Sequence, residues 1–302
     1  TTVTAGFDVA TSIASVVTVS NTAAVVAGSA FTLTSLTDTF VGGAGADVFT
    51  ADNTATASAS STADNLTGGA GADTLNIFSD GSVDPMPVVS SIETINLYDV
   101  DDAIFTTATA AGVETVNVIR GDGNAQGVIV AAGTTVNLST ITLAEVGTAV
   151  SITHAAATTS ATIGVDGVVG DADATFTEDV TLVGAGLTTV VVNATGTASD
   201  IETLIVAGAT DVTINAAVKF SAASTTDGID TSGTLGTITV TGVGAVDLGA
   251  LDVGFTTVNA GANSGGFTAQ IGGNDDTVLT GSSGNDTITA STTDALATAD
   301  KL

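Results

Sequence analysis

The sequence predicts an all-β fold built as a parallel β-solenoid, and three observations predict it. Hydrophobic residues make up 44% of the 302 residues but aromatics only 4%, with 36 glycines and two prolines. A six-residue phrase returns at steps of 20 to 22 residues. A glycine–aspartate nonapeptide occurs in three copies. A β-sandwich with glycine-rich turns is the alternative that the same composition allows.

The apolar content is mainly Ala, Val, Ile and Leu, with Thr between them. Val, Ile and Thr are stiff at χ1 and suit a pleated surface. Long helices favour Leu, Lys, Glu and Arg, and the only basic residues are Arg120, Lys219 and Lys301. Frequent Gly with scarce Pro reads as many tight turns between short strands.

Against those three cations stand 32 acidic residues, a net charge of −29. Nucleic acid is excluded as a partner, because phosphate binding needs clustered Lys and Arg. Direct attraction to an anionic bilayer is excluded on the same ground, and no apolar run approaches the length of a membrane span. Uncompensated charge of this size opposes compaction unless cations reside among the carboxylates. Cysteine is absent, so disulfides and thiolate metal sites are impossible. The chain starts Thr1-Thr2-Val3-Thr4. A secretory leader is expected to be absent or already removed.

Residues 1–36 read as an amino-terminal strand segment, with Val16–Val19 and Phe31–Thr34 as strands. A glycine–aspartate region follows at 37–80. Pro85 and Pro87 bracket Met86 and mark a boundary, since neither can donate to a ladder. Residues 91–270 form the repetitive segment, and 271–302 a second glycine–aspartate region with a tail. The phrase appears as Ile92-Glu93-Thr94-Ile95-Asn96-Leu97 and as Val113-Glu114-Thr115-Val116-Asn117-Val118. Related forms surround Asn137, Asn193, Asn215, Asn259 and the stretch Ile201–Val206. A strand and a turn every 20 residues or so is a solenoid signature, because each coil needs its neighbours to bury its apolar face. Stacking then places like residues in rows, which accounts for Asn recurring at one position.

The chemistry sits in the nonapeptides. Gly42-Gly43-Ala44-Gly45-Ala46-Asp47-Val48-Phe49-Thr50 and Gly68-Gly69-Ala70-Gly71-Ala72-Asp73-Thr74-Leu75-Asn76 both match GGxGxDxUx, where U is a large apolar residue. The third copy, Gly281–Thr289, has Ser282 for the second Gly and carries Gly284 and Asp286. Asp38 and Asp64 each stand nine residues before the nonapeptide Asp, and Asp276 stands ten before Asp286. Glycines let backbone carbonyls turn towards one point, Asp adds a hard anionic oxygen, and Ca²⁺ takes 6–8 such oxygens. The apolar residue two places after Asp points inwards, so turn and core form together and metal affinity becomes folding free energy. The candidate calcium turns are therefore those of Gly43, Gly45 and Asp47, of Gly69, Gly71 and Asp73, and of Gly284 and Asp286, with Asp38, Asp64 and Asp276 upstream of them.

These segments resemble the RTX (repeats-in-toxin) calcium-binding β-roll motifs of type I-secreted bacterial proteins. The Thr/Ala/Val chain around them resembles RTX-containing surface-layer proteins of Gram-negative bacteria. The resemblance implies ions shared between successive coils by Asp47, Asp73, Asp286 and turn carbonyls, with Asp38, Asp64 and Asp276 as secondary contributors. It also implies an extracellular, cell-surface location. A structural role follows, with calcium-driven self-assembly into an array (S-layer) or filament. The expected partners are further copies of the chain, with cell-surface polysaccharide as a second. A stalk segment of an adhesin is the alternative.

Other acidic groups are weaker. Asp99, Asp101 and Asp102 form one cluster, Asp171 and Asp173 another, each read as a solvated turn or an intersubunit calcium site. Asp122–Gly127 starts like an EF-hand loop, but Gly133 holds the position that needs Glu. The chain is not expected to be an enzyme. His154 is the sole histidine and reads as an ordinary strand residue, and no nucleophile elbow is present. A polysaccharide-active β-helix is the remaining enzymatic reading.

Overall fold

The computed structural model describes residues 26–290 except 55–56, 80–84, 100–103, 108–109, 122–126, 144–148, 171–178, 227, 234–235, 252–254 and 272–276. Asp276, Asp101, Asp102, Asp122, Asp171 and Asp173 lie outside the described residues. Among those described, every regular element is a β-strand.

Twelve strands form one sheet, the spine of the molecule: Ala30–Thr32, Val48–Asp52, Thr74–Phe78, Thr94–Tyr98, Thr115–Ile119, Thr135–Ser139, Ser160–Asp166, Thr189–Ala194, Asp211–Ala216, Gly236–Gly242, Phe255–Asn263 and Val278–Thr280. Each pairs in parallel with the next. The fold is therefore a parallel β-solenoid, and the antiparallel pairing of a sandwich is ruled out.

The remaining sides of the coils change along the stack. At the amino-terminal end, Thr39–Gly43, Asn65–Gly69 and Val88–Ser90 form a three-stranded sheet, each leading by a turn into a spine strand. From Gly127 to Ala250 a coil has three sides, as in Asp179–Val183, Thr189–Ala194 and Ser199–Ile201. The first belongs to a six-stranded sheet and the last to a seven-stranded one. Alternate residues point inwards, so Leu75, Ile77, Ile95, Leu97, Val116, Val118, Val136 and Leu138 stack into one apolar column set, each at most 3% exposed. Phe49, Phe220, Phe255 and Phe267 are the largest fully buried side chains. Burial at about 1.5–3 kcal/mol per such side chain is the main cohesion between coils.

The repeated phrase is the spine strand with its leading turn. Asn76, Asn96, Asn117 and Asn137 stand in register on the outward face. Each amide donates to the previous one, Asn96 to Asn76 at 2.8 Å, Asn117 to Asn96 at 2.6 Å and Asn137 to Asn117 at 2.8 Å. The irregular middle of the repeat also has a structural reason. Gly164 occupies the column between Asn137 and Asn193, so that step spans two coils. The ladder then resumes from Asn215 to Asn193 at 2.9 Å, and the Thr241 hydroxyl closes it on Asn215 at 2.8 Å. Asn259 does not join it. In Phe255–Asn263, Asn259 pairs with Thr239, two positions short of Thr241 in the column.

Candidate metal centre

The two full nonapeptides form turns at the same place in successive coils. One joins Thr39–Gly43 to Val48–Asp52 and the other joins Asn65–Gly69 to Thr74–Phe78. Pairing of Gly43 with Gly69 and of Val48 with Thr74 stacks the turns despite their 26-residue separation. The extra length is absorbed between them by a loop pinned on buried Asn53. The Asn53 Oδ1 accepts the N–H groups of Ala59 and Ser60 at 2.8 and 2.9 Å.

Glycine is required in the second turn on two counts. Gly69 and Gly71 have φ of +111° and +138°, where L side chains are strained. A Cβ at Gly69 would also lie 2.2 Å from the Gly43 carbonyl oxygen, and one at Gly71 2.4 Å from that of Gly45. The turns stack with backbone directly against backbone.

The aspartates line up at the inner lip of these turns. Asp47 is 1% exposed and Asp73 fully buried. The Asp47 carboxylate accepts the N–H of Ser29 through Oδ1 and that of Gly43 through Oδ2, both at 2.6 Å. These two N–H groups, Ser29 first, hold its carboxyl below the usual carboxylate range against the opposing effect of burial. Asp73 accepts the N–H of Asp47 through Oδ1 at 2.7 Å. Its Oδ2 is buried and has no hydrogen-bond partner. A buried, unpartnered carboxylate oxygen beside a carbonyl-lined turn is costly by itself and fits a hard cation.

Asp38 and Asp64 form a second column at the opposite end of the three-stranded sheet. Asp38 donates its N–H to Asp64 Oδ1 at 2.9 Å, while Asp64 Oδ2 accepts the Ser61 N–H at 2.7 Å. Asp38 in turn accepts the Thr34 N–H at 2.7 Å. These carboxylates cap their own turns and do not converge with Asp47 and Asp73. The next residue in that column is Pro87, which ends it.

Asp286 occupies a different ridge. The turns bearing Asp47 and Asp73 precede a spine strand, whereas Gly281–Asp286 follows Val278–Thr280 and leads into Thr287–Ala290 of the seven-stranded sheet. Asp286 is exposed and accepts the Phe267 N–H at 2.9 Å and the Ser282 hydroxyl at 2.5 Å. Gly284 packs on the turn below, where a Cβ would meet the Gly266 nitrogen at 2.6 Å. Sequence grouped all three aspartates; the fold puts two on one ridge and the third on another.

Among the described residues no three Asp, Glu or His side chains converge on one point. An ion in these turns would therefore draw most of its oxygens from carbonyls. Among the described residues, the basic side chains are paired elsewhere on the surface: Arg120 with Asp99 at 2.9 Å and Lys219 with Asp200 at 3.8 Å. On the six-stranded sheet, burial first and then Glu202 raise the carboxyl of Asp179, with Asp230 adding to the effect. His154 is 4% exposed, neither ring nitrogen has a partner, and burial lowers its proton affinity.

Comparison with known families agrees with this geometry. The RTX calcium-binding nonapeptide repeat (4 copies) matches residues 34–54, 56–76 and 271–292. No curated protein matches the chain. The chain thus carries RTX nonapeptide repeats on a β-solenoid, a combination that points to a calcium-binding structural or secreted-toxin-type protein. These repeats are calcium-binding motifs, and proteins that carry them are typically secreted.

One residue of the site escaped the sequence reading. Glu93, part of the repeated phrase, accepts the Asp73 N–H through Oε2 at 2.7 Å. Its only sequence signal was its place immediately before a spine strand, the place that Asp47 and Asp73 also hold.

Proposed function

We propose that this chain is a structural protein of a bacterial cell surface, which folds with calcium outside the cell and self-assembles into an array or filament. The stacking of two RTX turns with buried Asp47 and Asp73 in one column is the observation that carries the reading. Without cations the column concentrates negative charge in a buried place, which loosens the turns and suits export through a type I channel. Ca²⁺ outside the cell would neutralise the column, with Asp47, Asp73 and the glycine-turn carbonyls as its holders. Bound calcium would supply charge neutralisation and cross-linking of adjacent coils, so that binding becomes folding free energy.

Assembly is supported by the architecture. A spine of twelve stacked strands is roughly 50 Å long at the ordinary strand spacing, and open strand edges at the ends of a solenoid would let copies join end to end. The same length supports the second reading, a stalk segment of an adhesin. Catalysis is not part of the proposal, and cell-surface polysaccharide remains a proposed partner alongside other copies of the chain.

Calcium titration of the chelated chain, followed by circular dichroism and light scattering with magnesium as control, tests this. Gain of β-structure and of large assemblies with calcium alone is expected. Folding without assembly selects the stalk, and no response in either signal removes the calcium reading.

A further inference from the structure

We propose that Glu93 is a calcium ligand that closes, with Asp73 and the Ser91 carbonyl, an ion site at the end of the nonapeptide stack. This rests on the calcium reading above and extends it to a residue outside any nonapeptide.

Register places Glu93 in the aspartate column. Val48 pairs with Thr74 and Thr74 with Thr94, so the residues just before them, Asp47, Asp73 and Glu93, lie one above another. The backbone ladder confirms it, with Thr74 N–H on the Asp47 carbonyl at 2.9 Å and Thr94 N–H on that of Asp73 at 3.1 Å.

Glu93 also makes the bond that defines the column. Asp47 takes the Ser29 N–H at 2.6 Å, Asp73 takes that of Asp47 at 2.7 Å, and Glu93 takes that of Asp73 at 2.7 Å. Each carboxylate caps the coil below it.

The carbonyl wall repeats as well. A Cβ on Gly42 would meet the Gly68 carbonyl oxygen at 2.1 Å and Asp47 Oδ2 at 2.3 Å. A Cβ on Gly68 would meet the Ser91 carbonyl oxygen at 1.9 Å and Asp73 Oδ2 at 2.3 Å. Ser91 thus stands over the second turn where Gly68 stands over the first. It does so in a left-handed conformation, φ +50°, that a non-glycine residue adopts at a cost.

The third turn is shorter, which explains the change of residue. Thr67 pairs with Ser90, so the stretch Gly68–Asp73 is replaced by Ser91, Ile92 and Glu93. Glu has one more methylene than Asp, and that reach restores the cap from a tighter turn.

One difference separates the two layers and identifies where a cation is needed. Asp47 Oδ2 is satisfied by the Gly43 N–H, but Asp73 Oδ2 is buried with no partner. The Ser91 carbonyl oxygen and Asp73 Oδ2 stand together at Gly68, and Glu93 reaches the same coil through the Asp73 N–H; these hard oxygens are of the kind a calcium ion completes with further carbonyls or water.

The test compares wild type, Glu93→Gln, Glu93→Ala and Glu114→Gln as full chains, with bound calcium counted by equilibrium dialysis and calorimetry. Glu114 follows Glu93 in the column but is exposed, and its variant is expected to keep the wild-type count. Glu93→Gln retains an oxygen for the Asp73 N–H, so its chelated form should keep the wild-type dichroism while it binds one calcium ion fewer. Glu93→Ala should lose both the ion and part of the chelated-state structure. An unchanged count and affinity in Glu93→Gln overturns the role of Glu93 and leaves the calcium reading intact. Failure of wild type itself to bind calcium overturns both.

Discussion

Asp47 donates its backbone N–H to Asp73 Oδ1 at 2.7 Å across two coils that are 26 residues apart in sequence. That bond is buried, and it ties a charged side chain of one coil to the main chain of the next. It makes Asp73 both a structural cap and the bearer of an unpartnered oxygen, Oδ2. The two roles can be separated.

Asp73→Ala removes the cap and leaves the Asp47 N–H buried without a partner. The chelated protein should lose about 1–3 kcal/mol, read from the denaturant midpoint. Asp73→Asn keeps an acceptor and removes the charge. Its chelated form should be at least as stable as wild type, because repulsion along the column falls, while its gain on adding calcium shrinks. A full wild-type gain in Asp73→Asn would show that this carboxylate holds no ion.

The asparagine ladder should behave as a structural row and not as a metal site. Asn117 donates to Asn96 and accepts from Asn137. Asn117→Ala deletes both bonds and should cost about 1–3 kcal/mol with or without calcium. Asn117→Asp should cost more, since it sets a charged acceptor against the Asn96 Oδ1 acceptor, a repulsion that Ala does not introduce. Equal stability of the two variants would deny the donor role of the amide.

His154 gives a pH signature. Burial lowers its proton affinity in the native state below the ordinary value of 6.5, so the unfolded chain takes up a proton first as pH falls. Stability contributed by the neutral imidazole is complete above that value and is lost below it. His154→Leu should not show this loss, so the gap between the variant and wild type in chelator should change as pH drops below 6.5. Parallel pH profiles for the two proteins would contradict a buried neutral His154.

Much of the architecture was legible because a solenoid writes its period into the chain. The phrase around Asn96 and Asn117 announced both the coil and the row, since parallel stacking in register puts each copy directly on the last. GGAGAD announced its turns because Gly69 and Gly71 hold a backbone that other residues strain to adopt. The site was less legible. Glu93 was hidden because its turn is three residues shorter than the nonapeptide, so no motif spacing reaches it. Asn259 matched the phrase but missed the row, because pairing register is invisible in residue identity.

By itself the sequence determined the all-β solenoid, its coil length, and the oxygen-rich glycine turns, because alternation, period and backbone permissiveness are local properties. Only the tertiary structure decided which carboxylates share a column. Asp47, Asp73 and Glu93 lie on one ridge, Asp38 and Asp64 on another, and Asp286 on a third. That assignment depends on which side of the coil each turn occupies, and a coil's sides are set by the strands that stack above and below it.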